Sequence, residues 1–91
     1  MIDVAVDIVK KHLEEYYPNE DFSLRNYAKE YIFYSDKNQN VKVIVGLVDN
    51  EVLFDMHNSV KKKKILEKQL RLIGCRKYSE RWNYFGYDRN I

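Results

Sequence analysis

Four consecutive lysines, Lys61, Lys62, Lys63 and Lys64, stand inside the stretch HNSVKKKKILEKQLRLIG. The stretch reads as a helix. Asn58 and Ser59 are good N-caps, Gly74 is a good stop, and the apolar residues between them recur at helical spacing. The lysines then fill the first turn, where the partial positive charge of the backbone N–H groups disfavours cations and an acid would add about 0.3–1 kcal/mol. At about 100° per residue, Lys64, Lys68 and Arg71 form one basic stripe opposite Leu66, Leu70 and Ile73, with Ile65 and Leu72 flanking the core side. Lys61 borders the stripe, Lys62 falls over the core side and must snorkel, and Glu67 is the only acid nearby. A phosphate would relieve the charge crowding and the dipole penalty together, because helix-terminal N–H groups and lysines favour the same anion. The competing reading is a solvated helix face.

A second candidate follows Gly74 in CRKYSERWNYFGYDRNI, where Arg76, Lys77 and Arg81 interleave with Tyr78, Trp82, Tyr84, Phe85 and Tyr87. Bases alternating with rings suit nucleobase stacking, cation–π contact or a protein-binding face. A core strand whose rings pack under the helices is the alternative, and it suits Trp82 and Phe85 best. The remaining reactive side chains form no chemical group. His12 and His57 are far apart without metal-ligand spacing, Cys75 stands alone, and the three glycines are scattered rather than gathered into a phosphate cradle. Asp55 and His57 share a face by alternation, which is ordinary on a strand. No metal, no cofactor and no catalytic residue is expected, so the sequence reads as a non-enzymatic binding protein.

The elements that must position these residues follow from periodicity. Ile2 to Tyr17 reads as a helix with Ile2, Val6, Val9, Leu13 and Tyr16 on one stripe, Asp3 and Asp7 near its start, and Pro18 ending it. Residues 19–30 read as a short helical turn or irregular segment, and Tyr31 to Ser35 as a strand. Asp36-Lys37-Asn38-Gln39-Asn40 reads as a turn. Val41 to Val48 and Glu51 to Met56 form a hairpin on the two-residue loop Asp49-Asn50, which fixes the register. Leu47 then faces Val52, Val45 faces Phe54 and Val43 faces Met56, an all-apolar face, while Val48, Gly46, Ile44 and Lys42 pair with Glu51, Leu53, Asp55 and His57 on the other. A last strand is expected near Arg76–Tyr84. The expected fold is therefore one α+β domain over residues 1–91, in the order α-β-β-β-α-β, an antiparallel sheet with helices packed on one face.

Residues 41–74, VKVIVGLVDNEVLFDMHNSVKKKKILEKQLRLIG, resemble the second half of a double-stranded RNA-binding domain. In that family a strand hairpin leads into a helix whose N-terminal lysines grip phosphates and whose end is often leucine-glycine. The resemblance implies a phosphate role for Lys61 to Lys64 and sets Leu72-Ile73-Gly74 at the helix end. The family's Gly-Pro-x-His loop is here Asp-Lys-Asn-Gln-Asn, so phosphate contact transfers and duplex-specific shape reading does not.

Composition bounds the function. With 45% hydrophobic and 33% charged residues the chain is neither disordered nor fibrous, and its thirteen aromatics suit a compact core with tyrosines at the rim or an adhesive surface. No apolar run is long enough to span a bilayer. The acids in MIDVAVDIVKK are unlike a secretory leader, and a single Cys fits a reducing compartment, so a cytoplasmic location is expected. The net charge of +2 divides unevenly: residues 1–40 hold five Lys/Arg against eight Asp/Glu, −3, and residues 41–91 hold eleven against six, +5. The basic half is the expected surface for a polyanion. Two classes of partner follow, nucleic acid through its phosphate backbone, or a nucleic-acid-binding protein such as a host nuclease. In size and style alone the chain is similar to small phage or mobile-element proteins of the anti-CRISPR and anti-restriction kind. Many of those mimic DNA by being strongly acidic, and this chain would have to occupy a protein surface instead.

Overall fold

A computed structural model describes residues 1–37 and 41–80 of the chain. Helix α1 spans Ile2–Tyr16. Strands β1 (Phe22–Tyr27), β2 (Glu30–Ser35), β3 (Lys42–Val48) and β4 (Glu51–Met56) follow, then helix α2 (Lys63–Leu72) and the short strand β5 (Arg76–Lys77). The strands form one sheet in the order β1-β2-β3-β4-β5. The first four are antiparallel neighbours, and β5 runs parallel to β4 because α2 carries the chain back across the sheet. The fold is thus a small α+β domain with a mostly antiparallel sheet.

The β3–β4 hairpin has the register read from the sequence, with Leu47 opposite Val52, Val45 opposite Phe54 and Val43 opposite Met56. Asp49 and Asn50 take φ of 50° and 65°, the left-handed pair that a two-residue loop needs to match strand twist. The apolar face of this hairpin meets both helices. Val43, Val45, Val52, Phe54 and Met56 share one buried cluster with Ala5, Val6, Val9 and Leu13 of α1 and Leu66 and Leu70 of α2. Helix α1 ends one residue before the expected Tyr17, which caps it, and its buried stripe includes His12 as well as the aliphatic residues.

Three expectations are corrected. Residues 22–27 form a strand, not a helical turn, so four strands separate the helices where three are expected. The β1–β2 loop is Ala28-Lys29, with Ala28 at φ 52°. Alanine is a poor signal for a left-handed turn, and Leu24, Tyr27, Ala28 and Tyr31 also fit a helical period, so the hairpin was hidden. Second, the described residues after Gly74, 75–80, do not form a long strand. β5 is two residues, and residues 78–80 turn helical. Third, α2 begins at Lys63, with Lys62 as its N-cap. Val60, only 4% exposed, is drawn into the core, and this holds residues 57–62 in turns rather than helix. Of the expected 36–40 turn, residues 38–40 lie outside the described residues, as do 81–91. The β2–β3 connection is closed by the Ser35 N–H donating to the Val41 carbonyl over 3.1 Å.

The second face of the sheet is not simply polar. Tyr78 packs across it on Ile44 and Leu53, with Ile32 and Val48 alongside. Among the described residues no helix is long and apolar enough to cross a membrane.

Candidate polyanion-binding face

The turn that delivers the four lysines is anchored to α1 through its backbone. The Lys61 N–H donates to Tyr17 Oη over 2.9 Å. His12, 4% exposed, bonds the Lys61 carbonyl through Nε2 at 2.8 Å, so this nitrogen carries the proton. The Lys61 ammonium sits 4.8 Å from the Tyr17 ring centroid, a cation–π contact. Next to it Lys62 adopts φ 54°, ψ 39° without any side-chain cap on the helix. A left-handed lysine costs about 1–2 kcal/mol. Asn58 and Ser59, which the sequence marks as caps, are engaged elsewhere. Asn58 Oδ1 accepts from Lys63 Nζ at 2.7 Å, and Ser59 Oγ bonds His57 Nδ1 at 2.8 Å. Helix α2 therefore starts with no acid in its first turn, and of the four lysines only Lys63 and Lys64 belong to that turn.

Ion pairs divide the candidate cations into two groups. Lys77 pairs with Glu67 at 2.7 Å, and Lys63 lies 3.9 Å from the same carboxylate. Arg76 pairs with Glu51 at 3.3 Å. Arg71 pairs with Glu80, whose carboxyl is held below its usual range by that guanidinium, while the same hydrogen bond raises Arg71. These partly exposed pairs offset the cations locally. Lys62, Lys64 and Lys68 are exposed and have no ion pair or hydrogen bond among the described residues. Lys64, Lys68 and Arg71 do share one side of α2, around a shallow depression of about 340 Å³ that also borders Glu67 and Leu72. The expected stripe is thus present, with Arg71 at its end neutralised. Lys62 is exposed beside it, not folded over the core.

The aromatic candidates fare differently. Tyr78 is 3% exposed and donates from Oη to Glu30 Oε2 at 2.8 Å, so it is a packing residue and presents no ring to a partner. Arg81, Trp82, Tyr84 and Tyr87 lie outside the described residues, as does Phe85. Ile65 and Leu72, expected to flank the core, are 43% and 76% exposed. Only Leu66 and Leu70 of α2 are fully buried, a contact stripe narrower than the sequence pattern allows.

Among the described residues no cluster of His, Cys, Asp and Glu could hold a metal ion. Cys75 is buried in the main core, and burial pushes its thiol up, against a smaller pull downward from the N-terminal amino group. The fold therefore keeps this thiol protonated at a pH where the unfolded chain, with an ordinary thiol near 8.5, releases its proton. The stabilising preference is complete below that unfolded value and is lost as pH rises toward the folded one. Denaturant titration should accordingly show the stability advantage of wild type over Cys75→Ala shrinking as pH is raised above about 8.5. A constant advantage would show that the thiol is not held neutral by the fold.

The comparisons with known proteins give no match to a family model, to a curated protein or to a solved structure.

Proposed function

We propose that this chain is a small non-enzymatic binding module, acting in the cytoplasm, that contacts nucleic-acid phosphates through the start and outer side of α2. The observation that carries this reading is the division of the cations. Lys62, Lys64 and Lys68 remain exposed without acids, while Lys63, Arg76, Lys77 and Arg71 are each matched to a carboxylate. Lysines that served only as solvated surface would gain from the available acids. The likeness of residues 41–74 to the lysine-bearing half of a double-stranded RNA-binding domain points the same way.

The test is charge reversal. Lys64→Glu/Lys68→Glu should weaken binding to DNA and RNA duplexes alike, because phosphate contacts carry no base information. The dependence of binding on salt should flatten by about one unit per lost contact. Stability should hold within about 0.5 kcal/mol, since the gain from an acid at position 64 in the first turn is offset by its like-charge i,i+4 spacing from the acid at position 68. Fluorescence titration at two salt concentrations, with thermal unfolding in parallel, reads both effects. Failure of the wild-type chain to bind any duplex at low salt would remove this reading.

One observation favours a second reading, a phage or mobile-element inhibitor that blocks a host defence nuclease by protein contact. Ile65 and Leu72 are large, apolar and exposed on the same helix, beside a groove of about 400 Å³ between α1 and α2. Exposed apolar groups of this kind suit a protein partner more than a phosphate. Under this reading Leu72, not Lys64, is the sensitive position, and nuclease treatment leaves partner capture unchanged.

A further inference from the structure

The sheet face opposite the helices carries a second constellation, most of it in the half of the chain whose net charge is acidic. Tyr78 covers this face over β3 and β4. Over β1 and β2 it is open, and there Arg25, Tyr27, Ile32, Tyr34 and Lys42 line a shallow depression of about 350 Å³. The register explains the grouping. Arg25 pairs with Ile32, and Tyr34 pairs with Ser23 on one side and Lys42 on the other, so all of them project to one face. Arg25 sits at the centre. Its Nε donates to Tyr34 Oη at 3.1 Å and its Nη1 to Tyr27 Oη at 3.1 Å. Its Cζ lies 5.3 Å from the Tyr34 ring centroid.

This arrangement fixes a guanidinium between two tyrosines and leaves donors in excess. Two of the five guanidinium N–H groups are used, and both phenol oxygens accept, so their own protons remain to be given. Lys42 adds an ammonium. Neither Arg25 nor Lys42 has an ion pair among the described residues, and the nearby Asp36 accepts from the Oγ of Ser23, the cross-strand partner of Tyr34, at 2.8 Å. Tyr27 is 55% exposed, and rings displayed on a sheet give flat apolar surface at low conformational cost. Anion donors beside the exposed Tyr27 ring and the half-buried Tyr34 ring, one face of which Arg25 covers, match a ligand in which flat bases alternate with phosphates. The Asp36 carboxylate is a misplaced charge for phosphate alone, but it is an acceptor for a ribose hydroxyl.

We propose that the open β1–β2 face is a stacking platform for single-stranded RNA, with Tyr27 and Tyr34 against bases, Arg25 and Lys42 on phosphates, and Asp36 accepting from a ribose 2′-hydroxyl. The platform lies on the side of the sheet away from α2, so it is independent of the lysine face and stands or falls separately.

Fluorescence anisotropy of the full chain with labelled oligouridylate of about 12 nucleotides tests it, with oligothymidylate of equal length and an RNA duplex as the other arms. Oligouridylate should bind at low salt and more tightly than oligothymidylate. Tyr27→Ala and Tyr34→Ala should each weaken it by about 5- to 150-fold, the range for loss of one base–ring stack. Tyr27→Phe should keep most of the affinity because the ring face remains. Arg25→Ala should weaken binding and reduce its salt dependence, and none of these variants should change duplex binding. Because Tyr27 is exposed, Tyr27→Ala should unfold at the wild-type temperature, which separates lost binding from lost fold. Absence of oligouridylate binding, or full affinity in Tyr27→Ala, would overturn the platform. Equal affinity for oligothymidylate would overturn the assignment to RNA. Loss of single-strand binding only on charge reversal at Lys64 and Lys68 would assign that binding to α2 and overturn the platform as well.

Discussion

Truncating Phe54 to alanine should cost about 3–5 kcal/mol, enough to remove most of the stability of a domain of this size. Among the described residues Phe54 is the largest of the fully buried side chains, at 0% exposure, and it occupies the centre of β4. Its ring faces Val45 across the hairpin and lies in one cluster with Leu66 and Leu70 of α2, while Arg71 closes over it at 5.7 Å. Sheet and helices meet around this ring, and the surrounding residues sit on rigid elements that cannot collapse into the space left behind. The cost therefore combines lost transfer free energy with a cavity. In thermal unfolding it corresponds to a midpoint lowered by on the order of 20 °C. Leu72→Ala gives the contrast, with 76% exposure and an expected change within about 0.5 kcal/mol. A Phe54→Ala loss under about 1 kcal/mol would mean that β4 does not present this face to the core.

The contrast between Phe54 and Leu72 shows which parts of the molecule are legible in sequence. The Asp49-Asn50 loop is read correctly because two residues tolerant of positive φ separate two alternating strands, and the register then follows without tertiary information. Helix periodicity alone cannot tell how wide a stripe its neighbours will cover. Leu66 and Leu70 are buried, while Ile65 and Leu72 have the same hydrophobicity and face outward. The start of α2 is misplaced for a related reason. Asn58 and Ser59 are good caps locally, but Val60 is worth more in the core than they are at a helix end. The β1–β2 hairpin turns on Ala28, a residue without a turn signature, so nothing local marks β1 as a strand.

The candidate sites divide along the same line. The stripe of Lys64, Lys68 and Arg71 is a property of one helix and is visible in its spacing. Which of the candidate cations is offset by a carboxylate depends on Glu51, Glu67 and Glu80, and the pairing of Arg76 with Glu51 spans 25 positions of chain. Tyr78 alternates with bases in the sequence as a surface ring would, and only the sheet shows that it covers Ile44 and Leu53. The β1–β2 platform assembles Arg25, Tyr27, Tyr34 and Lys42 from three strands, the first of which was not expected to exist. Its signal was present as aromatic and basic residues, but in a segment with net negative charge and no recognised face to place them on.

Adding a methyl group at Gly46 should cost about 2–4 kcal/mol, through loss of most of Tyr78's burial together with its hydrogen bond. A Cβ built at Gly46 would lie 2.0 Å from Tyr78 Oη and 3.2 Å from its Cζ, and the phenol is packed on Ile44 and Leu53 with its hydroxyl given to Glu30. No side-chain rotation confined to the hydroxyl relieves that overlap, so Tyr78 must leave its seat. Its departure uncovers Leu53, which is 0% exposed, and loosens the chain that follows β5. A glycine in the middle of β3 is otherwise a weak choice for a strand, and close approach of another group is the physical reason for it. The double-mutant cycle separates this from strand propensity. Tyr78→Phe alone should be destabilising, because Glu30 Oε2 loses its donor. In the Gly46→Ala background the same change removes the clashing oxygen, so the double variant should lose less than the two singles added, by about 0.5–3 kcal/mol. If Gly46→Ala instead stabilised the protein, as alanine does in an unobstructed strand, or if the two losses simply added in urea titration, Tyr78 would not lie over Gly46, and the covered part of the second sheet face would be as open as the β1–β2 platform beside it.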